Sequence, residues 1–152
     1  MDDTTNDRLA IRELIENWAV WRDAGDWERF RGVWHDDGRM MATWFQGGAD
    51  EFIRVTKAGW DKGVSILHFL GGASIDVRGH RAIAQTKMTI SQRGVVDGVA
   101  CDVVCTGRFY DFFEKRNDRP IIFGIAQLLH PVSRLLRNDK QSKSGCRDVG
   151  SA

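Results

Sequence analysis

The chain has 152 residues, with 22 Lys plus Arg against 21 Asp plus Glu and a formal net charge of +1. That length suits one domain with a sizeable core, and that charge supplies no general field for nucleic acid or an anionic membrane surface. No run approaches the roughly 20 apolar residues needed to span a bilayer, and the polar start Met1-Asp2-Asp3-Thr4-Thr5-Asn6-Asp7 lacks the basic and then apolar pattern of a secretory leader, so a cytoplasmic protein is expected.

From about Thr5 to Asp23, Leu9, Ile11, Leu14, Ile15, Trp18, Ala19 and Trp21 recur at helical spacing, with Thr4 or Thr5 placed to cap the start. Gly25 breaks this helix, and Asp26 can cap a short second one over Trp27 to Trp34, where Trp27, Phe30 and Trp34 repeat at three and four. Asp36-Asp37-Gly38 reads as a turn, Arg39 to Phe45 as a strand, and Ala49 to Lys62 as a third helix turning Phe52, Val55 and Trp60 inward.

The second half changes character. Ser65 to Val77, Ala82 to Gln92, Val99 to Glu114 and Ile121 to Leu129 are apolar or alternating runs separated by polar turns, which predicts four long antiparallel strands. Helices followed by strands imply an α+β fold, a strongly curved sheet folded like a cone, with three N-terminal-half helices enclosing a pocket. Gly71-Gly72 inside the first long strand marks the expected bulge or bend. The domain is expected to run over residues 1–136, with 137–152 as a polar, mobile tail.

Cys101 and Cys105 share one strand face too far apart to bond, and Cys146 lies in the polar tail, so neither a disulfide framework nor a zinc site is expected. His35, His80 and His130 fall in turn or terminal contexts without metal-ligand spacing, where solvated or capping roles are expected.

The chemistry concentrates at Asp23, leaving the first helix, and His68, on an apolar strand. An Asp-oriented imidazole in an apolar pocket can move a proton at neutral pH, whereas the bland readings are a helix end cap and a core histidine bonded to main chain. Trp18 and Trp44 are candidate pocket walls. Strand parity adds Met41, Thr86, Met88, Ile90, Val104 and Phe112, and Arg108 is a candidate donor to a substrate oxygen beside Tyr110. Arg22 reads as a surface or rim charge.

Asp23-Ala24-Gly25-Asp26-Trp27-Glu28-Arg29-Phe30 and His68-Phe69-Leu70-Gly71-Gly72, in this order and separation, resemble the SnoaL-like branch of the nuclear transport factor 2-like superfamily. Within it they are most similar to the scytalone dehydratase and hexachlorocyclohexane dehydrochlorinase groups, over roughly residues 8 to 118. The resemblance implies that His68 is the base and Asp23 its holder, with proton abstraction from carbon followed by loss of water or halide and no metal or organic cofactor. It also implies a small hydrophobic or aromatic substrate, and dimers or trimers formed through the convex sheet face. Departures accompany the match: Arg22 and Ala42 stand where the dehydratases carry two tyrosines, and Gln92 near a second histidine. Trp18 stands in place of the dehydrochlorinase lysine, and Ile125 near its arginine. Beside this lyase reading stand an isomerase or cyclase at the same dyad and a ligand-binding module without chemistry.

Overall fold

The computed structural model describes residues 3–96, 98–129 and 134–137. Helix α1 (Asp3–Ala24) ends where Gly25 adopts φ 71, a left-handed turn open to glycine at little cost. The N–H of Asp26 then donates to the Trp21 carbonyl at 2.9 Å, and the Asp26 side chain caps α2 (Trp27–Gly32) by accepting from the Arg29 N–H at 3.2 Å. The short helix is thereby turned back against α1, which buries Phe30 beside Trp18 at a ring separation of 5.4 Å.

Strand β1 (Trp34–Met41) begins directly after this helical hairpin, and β2 (Gln46–Gly48) pairs with it antiparallel before α3 (Ala49–Asp61). The expected second helix is thus shorter, and the expected strand begins earlier, because Trp34 pairs with Ile122 of the last long strand rather than completing a helical turn. Asp36-Asp37-Gly38 lies inside β1 at a break in register between Trp34 and Arg39, so its turn chemistry produces an irregularity rather than an end.

The long strands are β3 (Ser65–Arg78), β4 (Arg81–Val96), β5 (Val99–Arg116) and β6 (Arg119–Leu129). Gly79 (φ 58) and Gly98 (φ 79) serve the first two reversals, and Asn117 and Asp118 (φ 48 and 60) form the third, as a two-residue hairpin requires. The sheet order is β2-β1-β6-β5-β4-β3; β1 lies parallel to β6, and β7 (Arg134–Arg137) adds to β5 beyond the end of β6. The register of β3 against β4 shifts between Leu70 and Ala73, so the glycine pair does mark a bulge.

This is the expected α+β cone: a strongly curved sheet whose concave face is covered by the helices. Helix α1 crosses that face, tied down by an ion pair of 2.9 Å between Asp7 and Lys115 and by a hydrogen bond from Arg8 to the Ile75 carbonyl. Trp18, Phe30, Trp34 and Phe52 pack against one another under the hairpin, joined by alternate residues of β4 to β6. Among the described residues no helix is long and apolar enough to cross a membrane, and no group of His, Cys, Asp and Glu is arranged to hold a metal ion. Cys101 is buried and Cys105 half-buried. His130, Cys146 and residues 138–152 lie outside the described residues, and with them all of the expected tail except Arg137, which lies in β7 and pairs with Cys101.

Candidate active site

Asp23 lies two turns of helix beyond Ile15 and one beyond Ala19, both buried, so the face that anchors α1 also carries the carboxylate inward. In β3 the alternation that half-buries Ile66 and Leu70 turns His68 to the same side. There one carboxylate grips one residue twice. Asp23 Oδ2 accepts the His68 backbone N–H at 2.6 Å, and Asp23 Oδ1 lies 2.7 Å from Nδ1 of the same histidine. A carboxylate oxygen only accepts, so the proton of the neutral ring sits on Nδ1 and the Nε2 lone pair is free to act as a base. No hydrogen bond to Nε2 occurs among the described residues.

The His68 side chain is 5% exposed. Burial pushes its pKa below the usual imidazole range, the hydrogen bond and charge of Asp23 pull it back up, and Arg22 adds a smaller downward push. The ring therefore stays neutral near pH 7. Arg22 itself is only 6% exposed and holds Nη1 3.7 Å from Asp23 Oδ1, so it is a buried member of the site rather than the expected rim charge. Burial lowers its pKa, with Asp23 acting in opposition.

Trp18 stands edge-on to His68 with ring centroids 5.3 Å apart, and Phe109 lies 6.0 Å from His68 and 5.3 Å from Trp18, so the three rings form one cluster. Beside them a cleft of about 340 Å³ is walled by Ile15, Ala19, His68, Leu70 and Thr86, with Arg12 and Glu16 also contributing. Such a volume takes a small ring compound.

The candidates named from sequence separate into three groups. Asp23, His68 and Trp18 come together, and Met88 lies buried on the same sheet face, adjoining Ile90, which is paired with His68. Trp44 is 56% exposed, packs on Phe45 and Phe52, and is not among the walls of the His68 cleft. Arg108 and Phe112 lie on the opposite, convex face. Arg108 pairs with Lys87, while Phe112 walls a separate hollow with Ile83 and Phe123. Their expected place inside the pocket is corrected by the parity of β5, which buries Gly107, Phe109, Asp111 and Phe113 and leaves the intervening residues outward. His35 is likewise buried rather than solvated, with Nδ1 accepting the Asp37 backbone N–H at 2.9 Å.

Asp111 is the polar residue that sequence reasoning passed over. It is 2% exposed, shares the inward parity of Phe109 and Phe113, and burial alone raises its carboxyl from 3.8 to about 8. The available signal was a single Asp in the aromatic run Phe109-Tyr110-Asp111-Phe112-Phe113.

Comparison with known proteins agrees with this architecture. Pea pathogenicity protein 2 of Fusarium vanettenii is 40% identical over 119 residues, which cover 76% of this chain and 51% of that protein. The chain thus spans about half the length of the curated relatives it matches. Among solved structures, a type 2 hexachlorocyclohexane dehydrochlorinase superposes with a TM-score of 0.76 at 12% identity, over 88% of this chain and 91% of that one. A Novosphingobium aromaticivorans protein provisionally named a scytalone dehydratase gives 0.75 at 14% identity, over 88% and 89%. At such identities the likeness concerns the fold. The SnoaL-like domain model matches residues 3–120, and the chain belongs to the SnoaL-like family.

Proposed function

We propose that the protein is a cofactor-independent lyase that eliminates water or halide from a small cyclic or aromatic substrate. The observation that supports this reading is the double grip of Asp23 on His68, which leaves Nε2 as a neutral base beside a cleft large enough for a ring. In the elimination, Nε2 takes a proton from carbon and the C–H pair becomes the new C=C bond. The leaving group departs with its own bonding pair, and a departing hydroxyl takes the proton back from the imidazolium and leaves as water. Asp23 stabilises that imidazolium and keeps the ring in one tautomer. The names of the two structural neighbours, a dehydrochlorinase and a scytalone dehydratase, point to the same reaction class.

The same reading includes a homo-oligomer built on the convex face, where Phe69, Ile83, Phe112 and Phe123 stand exposed.

The test is product formation from a panel of small phenolic and halogenated ring compounds, with His68→Ala beside the wild type. Elimination requires that the variant bind the same compounds and release no water or halide. An undiminished rate in His68→Ala would remove the base from the mechanism. Return of substrate hydrogen to carbon without loss of a leaving group would make the protein an isomerase.

A further inference from the structure

Arg108 has no part in the His68 cleft, and its surroundings on the convex face give it another use. It stands directly opposite Lys87 across β4 and β5, and Thr106 stands opposite Thr89 on the next outward rung. Like charges on facing residues repel, so a sheet that keeps such a pair needs something to offset it. No acidic side chain does so: among the described residues neither Lys87 nor Arg108 takes part in an ion pair or hydrogen bond, although Arg108 is half-buried. On the other side of the pair the outward rung is Gln85 opposite Tyr110. The nearest carboxylates in register on this face are Asp76, across from Ile83, and Asp102, which Arg93 holds at 3.0 Å. Ile83 lies four residues from Lys87 along β4, about 13 Å at roughly 3.3 Å per residue and beyond a screening length of about 8 Å.

A hollow of about 480 Å³ lies over the two cations, walled also by Phe69, Gly71, Thr89 and Thr106. The bulge in β3 opens it. The register passes from Leu70 opposite Met88 to Ala73 opposite Thr86, so Gly71 and Gly72 run past Lys87 without a rung of their own. A Cβ on Gly71 would come 3.2 Å from the Lys87 Cβ, and glycine therefore lets β3 pass close while leaving the space above the cations open.

The wall selects the chemistry of its ligand. Its polar side chains are an ammonium, a guanidinium and two hydroxyls, all able to donate, and no carboxylate stands among them. A carboxylate ligand offers two oxygens and one charge, whereas a phosphate monoester offers three acceptor oxygens and nearly two charges at pH 7, which matches two cations flanked by two hydroxyls. At ~30 Å³ per water-sized group the hollow holds more than a phosphate, and Phe69 supplies an apolar face for whatever the phosphate carries.

We propose that Lys87 and Arg108 form an anion site on the convex face for a small soluble phosphate monoester, whose organic group packs on Phe69. The site stands apart from the lyase chemistry of His68. Two copies meeting through this face would bring two such cation pairs together, and the bound anion offsets that repulsion as well.

The test is protein-observed ¹⁵N NMR at low salt and pH 7.5, titrating phenyl phosphate, inorganic phosphate and benzoate into wild type, Lys87→Gln and Arg108→Gln. Phenyl phosphate should move the amides of Phe69, Lys87, Thr89, Thr106 and Arg108 to saturation and bind about tenfold more tightly than benzoate, with inorganic phosphate moving the same amides. Each substitution should weaken phenyl phosphate by about tenfold. Saturating phenyl phosphate should also raise the urea midpoint of the wild type by more than that of either variant. Equal affinity in all three proteins, shifts confined to the residues of the His68 cleft, or benzoate bound as tightly at the same amides would overturn the assignment. Vesicles containing phosphatidic acid test the other source of a phosphate monoester, and a wild type that sediments with them yet leaves phenyl phosphate unbound would overturn it in favour of a lipid headgroup.

Discussion

Replacing Asp111 with Asn removes a carboxyl that burial holds neutral, and the consequence is measurable without any substrate. In the folded protein Asp111 keeps its proton up to about pH 8, whereas an unfolded chain releases it near 3.8. Between those values the folded state binds one proton more than the unfolded state, so each rise of one pH unit costs the wild type about 1.4 kcal/mol of stability. The asparagine variant carries no such proton. From pH 5 to pH 7 the wild type should therefore lose about 3 kcal/mol relative to Asp111→Asn, with the difference levelling off above about pH 8. His68 works in the opposite sense: its lowered pKa contributes instability as pH falls below the usual imidazole value, but it does so equally in both proteins and cancels. Urea unfolding at pH 5, 6, 7 and 8 gives the two curves, and parallel curves would refute the reasoning, because they would mean that Asp111 is ionised in the fold.

Asp23→Asn replaces an acceptor-only oxygen pair with an amide that can present N–H to the ring, so the tautomer is no longer fixed; turnover should fall by about 10²–10⁴-fold with ligand binding retained, as steady-state kinetics and a binding titration would show. Gly25→Ala places a Cβ 2.8 Å from the Trp60 ring at a left-handed φ of 71; loss of about 1–2 kcal/mol or more in chemical denaturation is expected, and an unchanged midpoint would contradict the helix stop that delivers Asp23. Phe112→Asp puts a charge on the exposed convex face; sedimentation should show the wild type as a dimer or trimer and the variant as a monomer, and a monomeric wild type would remove that face as an interface.

How legible these features are from sequence depends on which forces act locally. Helix α1, its stop at Gly25, the bulge at Gly71-Gly72 and the pairing of Asp23 with His68 follow from short-range periodicity, glycine conformation and family resemblance. Trp34 illustrates the limit. Its spacing from Trp27 and Phe30 is helical, yet it is drawn into a parallel pairing with Ile122 almost ninety residues away, which no local pattern encodes. Strand β5 fails for another reason: Phe109 and Phe113 on one parity and Tyr110 and Phe112 on the other make both faces aromatic, so alternation alone does not say which side is inward. The parity that buries Asp111 is settled by α1 covering the concave face. Arg22 stays hidden for the same reason, since its burial comes from packing that the helix's own sequence does not contain.

The account turns on a neutral His68 whose proton is held on Nδ1 by Asp23, and ¹⁵N NMR of the imidazole across pH reads that state directly. The signals should show a protonated Nδ1 and a bare Nε2 at pH 7, with a titration midpoint below 6.5 that shifts in Asp23→Asn. A proton on Nε2 at pH 7, or a midpoint above 6.5 that ignores the Asp23 substitution, would contradict it.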